Sequence, residues 1–206
     1  MPPSEIAWLS LRKPVTTEDA IAVASDDVCR VCLLGAESTG KTTLAAALAE
    51  AYGTLWVPEY GRVYTEVGRP QGDPWRSAEF AHIARVQCWY EDFLAGLAAR
   101  VLVCDTDAFT TAVFHEAYLG APATGFAEEA ARIYDLYLVC GLDVPWARDE
   151  IREFVEARRR HHETYVEHAR ATGSPWLVVE GSPAERLEAA RRAVHETLTS
   201  RRAAVE

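Results

Sequence analysis

The sequence predicts an α/β fold, a three-layer sandwich with helices on both faces of a five-stranded parallel sheet. Three observations carry this. Five short, near-continuous apolar runs recur along the 206 residues, the pattern of strands covered on both sides. Stretches with helical spacing lie between them, as the crossovers of a parallel sheet require. The first run also leads through a glycine-containing turn directly into a helical pattern. With 49% hydrophobic residues the chain can bury one sizeable core, and its length requires no second domain. We therefore expect an arm of unknown role over residues 1–27 and a single domain over 28–206.

Val28 to Leu34 reads as the first strand, and Lys41 to Tyr52 as a helix with Leu44 and Leu48 on one face and Gly53 as its stop. The second strand, "TLWVPE", ends at Glu59. A long helix is expected after "GDPW", with Asp73 as cap, Pro74 in the first turn, and Phe80, Ile83, Tyr90, Leu94 and Leu97 on its apolar face. Gln87 and Glu91 fall on that same stripe, one turn apart. For Glu91 we expect a buried hydrogen bond, whereas Gln87 is equally a ligand contact or a buried bond. Val101 to Asp105, Tyr134 to Gly141 and Pro175 to Gly181 complete the strands. Ser182-Pro183-Ala184-Glu185 is a capping box that opens an arginine-rich C-terminal helix. In such sheets ligands bind outside the carboxyl ends of the strands, and the polar residues of interest all lie there.

Gly35, Ala36, Glu37, Ser38, Thr39, Gly40, Lys41 and Thr42, followed by Thr43, fit G-x-x-x-x-G-K-[ST] between a strand and a helix. In that pattern backbone N–H groups turn inward around phosphates, the lysine reaches the outer phosphates, and the hydroxyl is a magnesium ligand. Only two lysines occur against nineteen arginines, so a lysine at this position stands out. Asp105, ending the third strand, is placed to hold Mg²⁺ directly or through water, together with Thr42. Either Glu59 or Asp107 is placed to orient or deprotonate an acceptor hydroxyl. After the fourth strand, Arg148 and Arg152 are four residues apart, so both guanidiniums can close over a transferring phosphoryl group. The run Arg158 to His162 reads as a solvated helix face.

The stretches "GAESTGKTTLA", "PEYGRVYTE", "CDTDAFTTAVF", "YDLYLVCGLDVPWARDEIR" and "VVEGSPAERLEAA" resemble the kinase domain of NadR-type ribosylnicotinamide kinases, a nucleoside-kinase-like P-loop group of AAA-type ATP-binding proteins. The resemblance implies strand order 2-3-1-4-5. It also implies ATP-dependent phosphorylation of the ribose 5'-hydroxyl of nicotinamide riboside to nicotinamide mononucleotide, a step of NAD salvage. On this chain it implies Glu59 and Arg62 at the riboside, Asp105 and Asp107 beside the transferred phosphoryl, and Arg148 and Arg152 in a lid; Tyr60, Gln87 and Asp107 are further candidates at the substrate, and Ser182 joins the phosphate loop as a candidate at ATP. Pro58 stands where some members carry a tryptophan that stacks on the nicotinamide ring; Trp89, Tyr90 and Phe93 are the alternative stacking residues. Glu150-Ile151-Arg152 replaces a Gly-Leu-Arg pattern.

A net charge of −10 argues against nucleic acid or anionic membranes as partners and leaves a small nucleoside-like substrate, with oligomeric state open. No leader or apolar span is evident, so the cytoplasm is the expected compartment. The five cysteines read as reduced core thiols. The alternative functions are a kinase for another nucleoside, or a regulator that binds or hydrolyses ATP. "CGLDVPW" lacks the N-K-x-D of a guanine-specific switch, and "CDTD" lacks the paired Asp-Glu of a motor ATPase.

Overall fold

A computed structural model describes residues 28–70, 72–144 and 152–205; the arm over 1–27 and Arg148 lie outside them. Five parallel strands, β1 (Cys29–Leu34), β2 (Trp56–Val57), β3 (Val101–Asp105), β4 (Leu136–Cys140) and β5 (Trp176–Val179), form one sheet in the order β2-β3-β1-β4-β5. The helices are α1 (Lys41–Tyr52), α2 (Tyr60–Val63), α3 (Ser77–Ala95), α4 (Ala108–Leu119), α5 (Ala127–Ala130), α6 (Arg152–Ala171) and α7 (Pro183–Val205), with a π-helical turn over Tyr64–Gly68.

Alternation along β1 shows why the sandwich has three layers. Cys29, Val31 and Leu33 point to a core shared with Leu44 and Leu48 of α1 and Ala190 and Val194 of α7. Cys32 and Leu34 point the other way, to a core shared with Ala95 of α3 and Tyr165 and Ala169 of α6. Because successive side chains of a strand alternate faces, a run apolar at every position requires cover on both sides. In register, Leu33 sits opposite both Asp105 of β3 and Leu138 of β4, so the carboxyl ends of the three central strands lie level. That edge carries the site.

Two elements differ from expectation. β2 spans only Trp56–Val57, because Pro58 has no N–H to extend a ladder. The long helix begins at Ser77 rather than after Asp73: the Glu79 carboxylate accepts from the Arg76 N–H at 2.8 Å and from Arg69 Nε at 3.1 Å, while Arg69 also donates to the Asp73 carbonyl and covers the Trp75 ring. These bonds keep residues 73–76 out of the helix. Phe80, Ile83, Gln87 and Glu91 are buried as expected, but Tyr90 and Leu97 are exposed; Leu97 lies past the helix end, and Ala84 and Cys88 complete the buried stripe. All five cysteines are buried free thiols. Among the described residues, no helix is long and apolar enough to cross a membrane.

Candidate nucleotide and acceptor site

The chain leaves β1 into a loop that only particular backbone conformations permit. Gly35, Ser38 and Gly40 have φ of 153°, 56° and 84°, all in the region that L side chains avoid. A Cβ at Gly35 would lie 2.8 Å from Thr39 Oγ1 and 3.2 Å from the Cys140 carbonyl, so the loop crosses the end of β4 too closely for any side chain. Lys41 opens α1, buried, and donates from Nζ to the carbonyls of Gly35 at 2.8 Å and Ala36 at 3.0 Å. Its ammonium thus spans the hollow of the loop, and the N-terminal end of α1 adds positive potential there.

Asp105 stands at the end of β3, beside the loop because β1 and β3 are paired in register. Thr42 Oγ1 donates to its Oδ2 at 2.6 Å, while the buried Oδ1 has no hydrogen-bond partner. Burial pushes this carboxyl above its usual range, opposed by the Thr42 hydrogen bond and the Lys41 charge. A hydroxyl and an orphaned carboxylate oxygen side by side are the oxygen donors Mg²⁺ uses when phosphates and water complete its shell. Among the described residues no cluster of three or more His, Cys, Asp or Glu could hold a metal by itself.

Asp107 lies two residues on but is differently employed. Between the two aspartates Thr106 takes a left-handed φ of 71°, its N–H donating to the Leu33 carbonyl at 3.0 Å. The turn sends Asp107 into the start of α4, where Oδ1 accepts from the Thr110 N–H at 2.8 Å and the Thr110 hydroxyl at 2.9 Å. Asp107 is buried, does not line the cavity described below, and is pushed up to about 6 by desolvation. His168 Nε2 approaches Oδ2 to 3.9 Å with its ring stacked on Phe109. Burial lowers that imidazole to about 4, so at neutral pH it brings no charge to Asp107.

A cavity of about 320 Å³ is lined at once by Gly35, Glu37, Ser38 and Lys41, by Glu59, Arg62 and Gln87, and by Trp75, Phe80, Phe114 and Tyr118. Glu59 and Arg62 form an ion pair at 2.9 Å. The Tyr60 N–H donates to Gln87 Oε1 at 3.0 Å, so the long helix fixes the turn that carries Glu59. Gln87 in turn lies 3.5 Å from Glu91, whose two oxygens accept from the Tyr134 hydroxyl at 2.9 and 2.8 Å and one of which pairs with Arg132 at 3.2 Å. Gln87 is therefore both a cavity residue and a buried hydrogen-bonding group, and Glu91 is fully buried, pushed up to about 7 by desolvation.

Other sequence expectations fall elsewhere. Trp89, Tyr90 and Phe93 do not line the cavity; Trp89 and Phe93 stack on one another at the surface with centroids 5.4 Å apart. The rings that do line it include Trp75, 4.8 Å from Phe80 and 5.6 Å from Tyr118. Ser182 is exposed and caps α7, its N–H and hydroxyl both donating to Glu185 Oε2 at 2.8 and 2.7 Å. Arg158, expected on a solvated face, instead reaches the phosphate loop, donating from Nε to the Glu37 carbonyl at 3.1 Å. Arg159 does face solvent, beside Glu156 and Glu163. Arg186 of α7, not anticipated, is buried against the loop and donates to the Thr39 carbonyl at 2.8 Å.

Comparison with known proteins bears on the fold and the family. The chain is 34% identical over 128 residues to the trifunctional NAD biosynthesis/regulator protein NadR of Salmonella typhimurium and, equally, of Escherichia coli, covering 59% of this chain. It spans 30% of the length of those relatives. A solved NadR structure with NAD and AMP-PNP superposes over 85% of this chain and 51% of that one, with a TM-score of 0.67 and 26% identity. Another NadR structure, in complex with NR, gives 0.68 at 24% identity over 85% and 53%, and a thymidylate kinase from Ehrlichia chaffeensis gives 0.56 at 15% identity over 80% and 97%; these two speak to the fold. The fold is that of the P-loop kinases. Because the AAA domain family matches residues 30–186, which hold the loop, Asp105 and all of the parallel sheet but the first residue of β1, the chain belongs to that family.

Proposed function

We propose that this chain is an ATP-dependent kinase that transfers a phosphoryl group to the 5'-hydroxyl of nicotinamide riboside, giving nicotinamide mononucleotide. One observation carries the reading: a phosphate loop, a carboxylate–arginine pair and an aromatic wall line a single cavity, the groups that a triphosphate and a ring-bearing alcohol would each need. The similarity to NadR, a NAD biosynthesis/regulator protein that has been solved in complex with NR, supports nicotinamide riboside as the acceptor.

Gly35 to Thr43 hold the phosphates of ATP, with Lys41 exchanging its loop carbonyls for phosphate oxygens. Thr42 and Asp105 hold Mg²⁺, which when bound neutralises charge on the phosphates. Glu59 lines the cavity and is the carboxylate placed to orient and deprotonate the acceptor hydroxyl, with Arg62 paired to it. Asp107 acts from beneath by fixing the start of α4, whose Thr110 and Thr111 line the same cavity. Tyr60 and Gln87 keep the Glu59 turn in place, Ser182 fixes the start of α7, and Arg148 and Arg152 are the lid arginines that the family resemblance supplies. The substrate is a small nucleoside, neither nucleic acid nor membrane, and the compartment is the cytoplasm.

The test is ADP release by purified protein with ATP, Mg²⁺ and nicotinamide riboside, run beside uridine, cytidine, thymidine and adenosine. Riboside-dependent ADP with formation of the mononucleotide is expected. Turnover with another nucleoside alone would move the acceptor; hydrolysis indifferent to every nucleoside would favour an ATP-hydrolysing regulator.

A further inference from the structure

The phosphate loop is held from its outer side by two arginines contributed by different helices. Arg158 of α6 donates from Nε to the Glu37 carbonyl at 3.1 Å and from Nη2 to the carbonyls of Ser38 at 3.4 Å and Val144 at 3.2 Å. Arg186 of α7 donates from Nη1 to the Thr39 carbonyl at 2.8 Å and from Nε to the Gly181 carbonyl at 3.0 Å, and pairs with Asp143. Asp143 also accepts from the Gly181 N–H at 2.7 Å. The Ala36 carbonyl accepts from the Thr39 hydroxyl at 2.8 Å and, like that of Gly35, from Lys41. Arg186 thus joins the segments following β4 and β5 to the loop.

In a trans peptide the C=O and the following N–H point in opposite directions. Guanidinium groups that draw the carbonyls of Glu37, Ser38 and Thr39 outward therefore turn the N–H groups of Ser38, Thr39 and Gly40 the other way, into the hollow spanned by Lys41. Ser38 is held in the left-handed region without being glycine, a conformation that persists only where its surroundings enforce it. Arg158 and Arg186 supply that enforcement. We infer that Arg158 and Arg186 are positioning residues for the triphosphate, acting through the loop carbonyls to present its N–H groups to phosphate before any nucleotide arrives. This rests on the triphosphate half of the proposed function and is independent of which alcohol accepts the phosphoryl group. A planar fork with several donors suits the task better than lysine, which is a point charge.

The experiment measures the Kd of Mg²⁺–AMP-PNP by calorimetry, with melting temperature alongside, for the full chain and for Arg158→Ala, Arg158→Lys, Arg186→Lys and Arg159→Ala. Loss of charge-assisted bonds to the loop should weaken AMP-PNP about tenfold in Arg158→Ala, with its melting temperature within about 2 °C of the parent. Arg158→Lys should recover only part of the affinity, and Arg159→Ala should match the parent. Arg186→Lys keeps a cation beside Asp143, so a loss of AMP-PNP affinity there exceeding any loss of stability supports the same role. In turnover, the KM for ATP should rise in Arg158→Ala while that for the acceptor holds. AMP-PNP affinity within twofold of the parent in both Arg158→Ala and Arg186→Lys would overturn the inference. Failure of the parent to bind AMP-PNP would remove the inference and the kinase reading together, whereas binding without phosphorylation of any nucleoside would remove only the acceptor.

Discussion

One end of the cavity is lined by the phosphate loop with the ammonium of Lys41, the other by the rings of Trp75, Phe80, Phe114 and Tyr118. The first end comes from consecutive residues whose conformations are set by Gly35, Ser38 and Gly40, and backbone donors treat any polyphosphate alike. The second is assembled from the stretch before α3, from α3 itself and from α4, over a span of chain from Trp75 to Tyr118. Side chains can be exchanged singly without disturbing the sheet, so selectivity is free to change at the aromatic end while the donor end stays put.

If that division holds, substitutions at the two ends should separate kinetically, and the largest effect belongs to the loop. Lys41→Ala should lower turnover by at least about a hundredfold, with circular dichroism and melting behaviour close to the parent; loss of the fold instead would make the lysine structural. Asp105→Asn keeps an acceptor for the Thr42 hydroxyl but removes the charge. Turnover should fall about a hundredfold and saturate only at higher Mg²⁺, a shift visible in a magnesium titration. Trp75→Ala should raise the KM for the riboside about tenfold and leave that for ATP within twofold. Equal rises in both constants would show that the two ends are not independent.

The smallest effect concerns the support beneath the acceptor end. Glu91 has a folded pKa of about 7 against an ordinary 4.5, so between those values the native state binds more protons than the unfolded chain. Stability therefore falls as pH rises through that window, by about 3 kcal/mol at most. Asp107, raised to about 6, acts with the same sign over a lower range. Denaturant unfolding at pH 5 and pH 8 should show the difference shrinking in Glu91→Gln, with the Asp107 part remaining. An unchanged difference would mean that Glu91 is ionised at both pH values, held so by Arg132.

What could be read from the chain before its structure follows the same division. The loop was legible because its chemistry resides in consecutive residues, and Asp105 because a strand end beside the loop is a local inference. The order β2-β3-β1-β4-β5 followed from the family resemblance and not from residue patterns, since pairing is a long-range property. Arg158 was read as solvent-facing because a run of three arginines and two histidines looks solvated from every side; only the packing of α6 distinguishes it from Arg159. Arg186 was one arginine among many on α7. Trp75 escaped notice because Asp73 and Pro74 suggested a helix already begun, and the Arg69 bonds that keep that stretch extended connect residues outside the local pattern.

The five thiols have a practical consequence. Four lie on β1, β3 and β4, one on α3, all buried, with burial pushing Cys29 and Cys88 up to about 12 and Cys140 to about 11. An alkylating reagent at neutral pH therefore reacts only when the structure around each thiol opens, and the rate of mass gain at the four strand thiols becomes a clock for opening of the sheet. Cys140 lies against Gly35 of the phosphate loop, so its labelling should slow in proportion to nucleotide occupancy, giving a readout of ligand engagement that needs neither turnover nor a known acceptor.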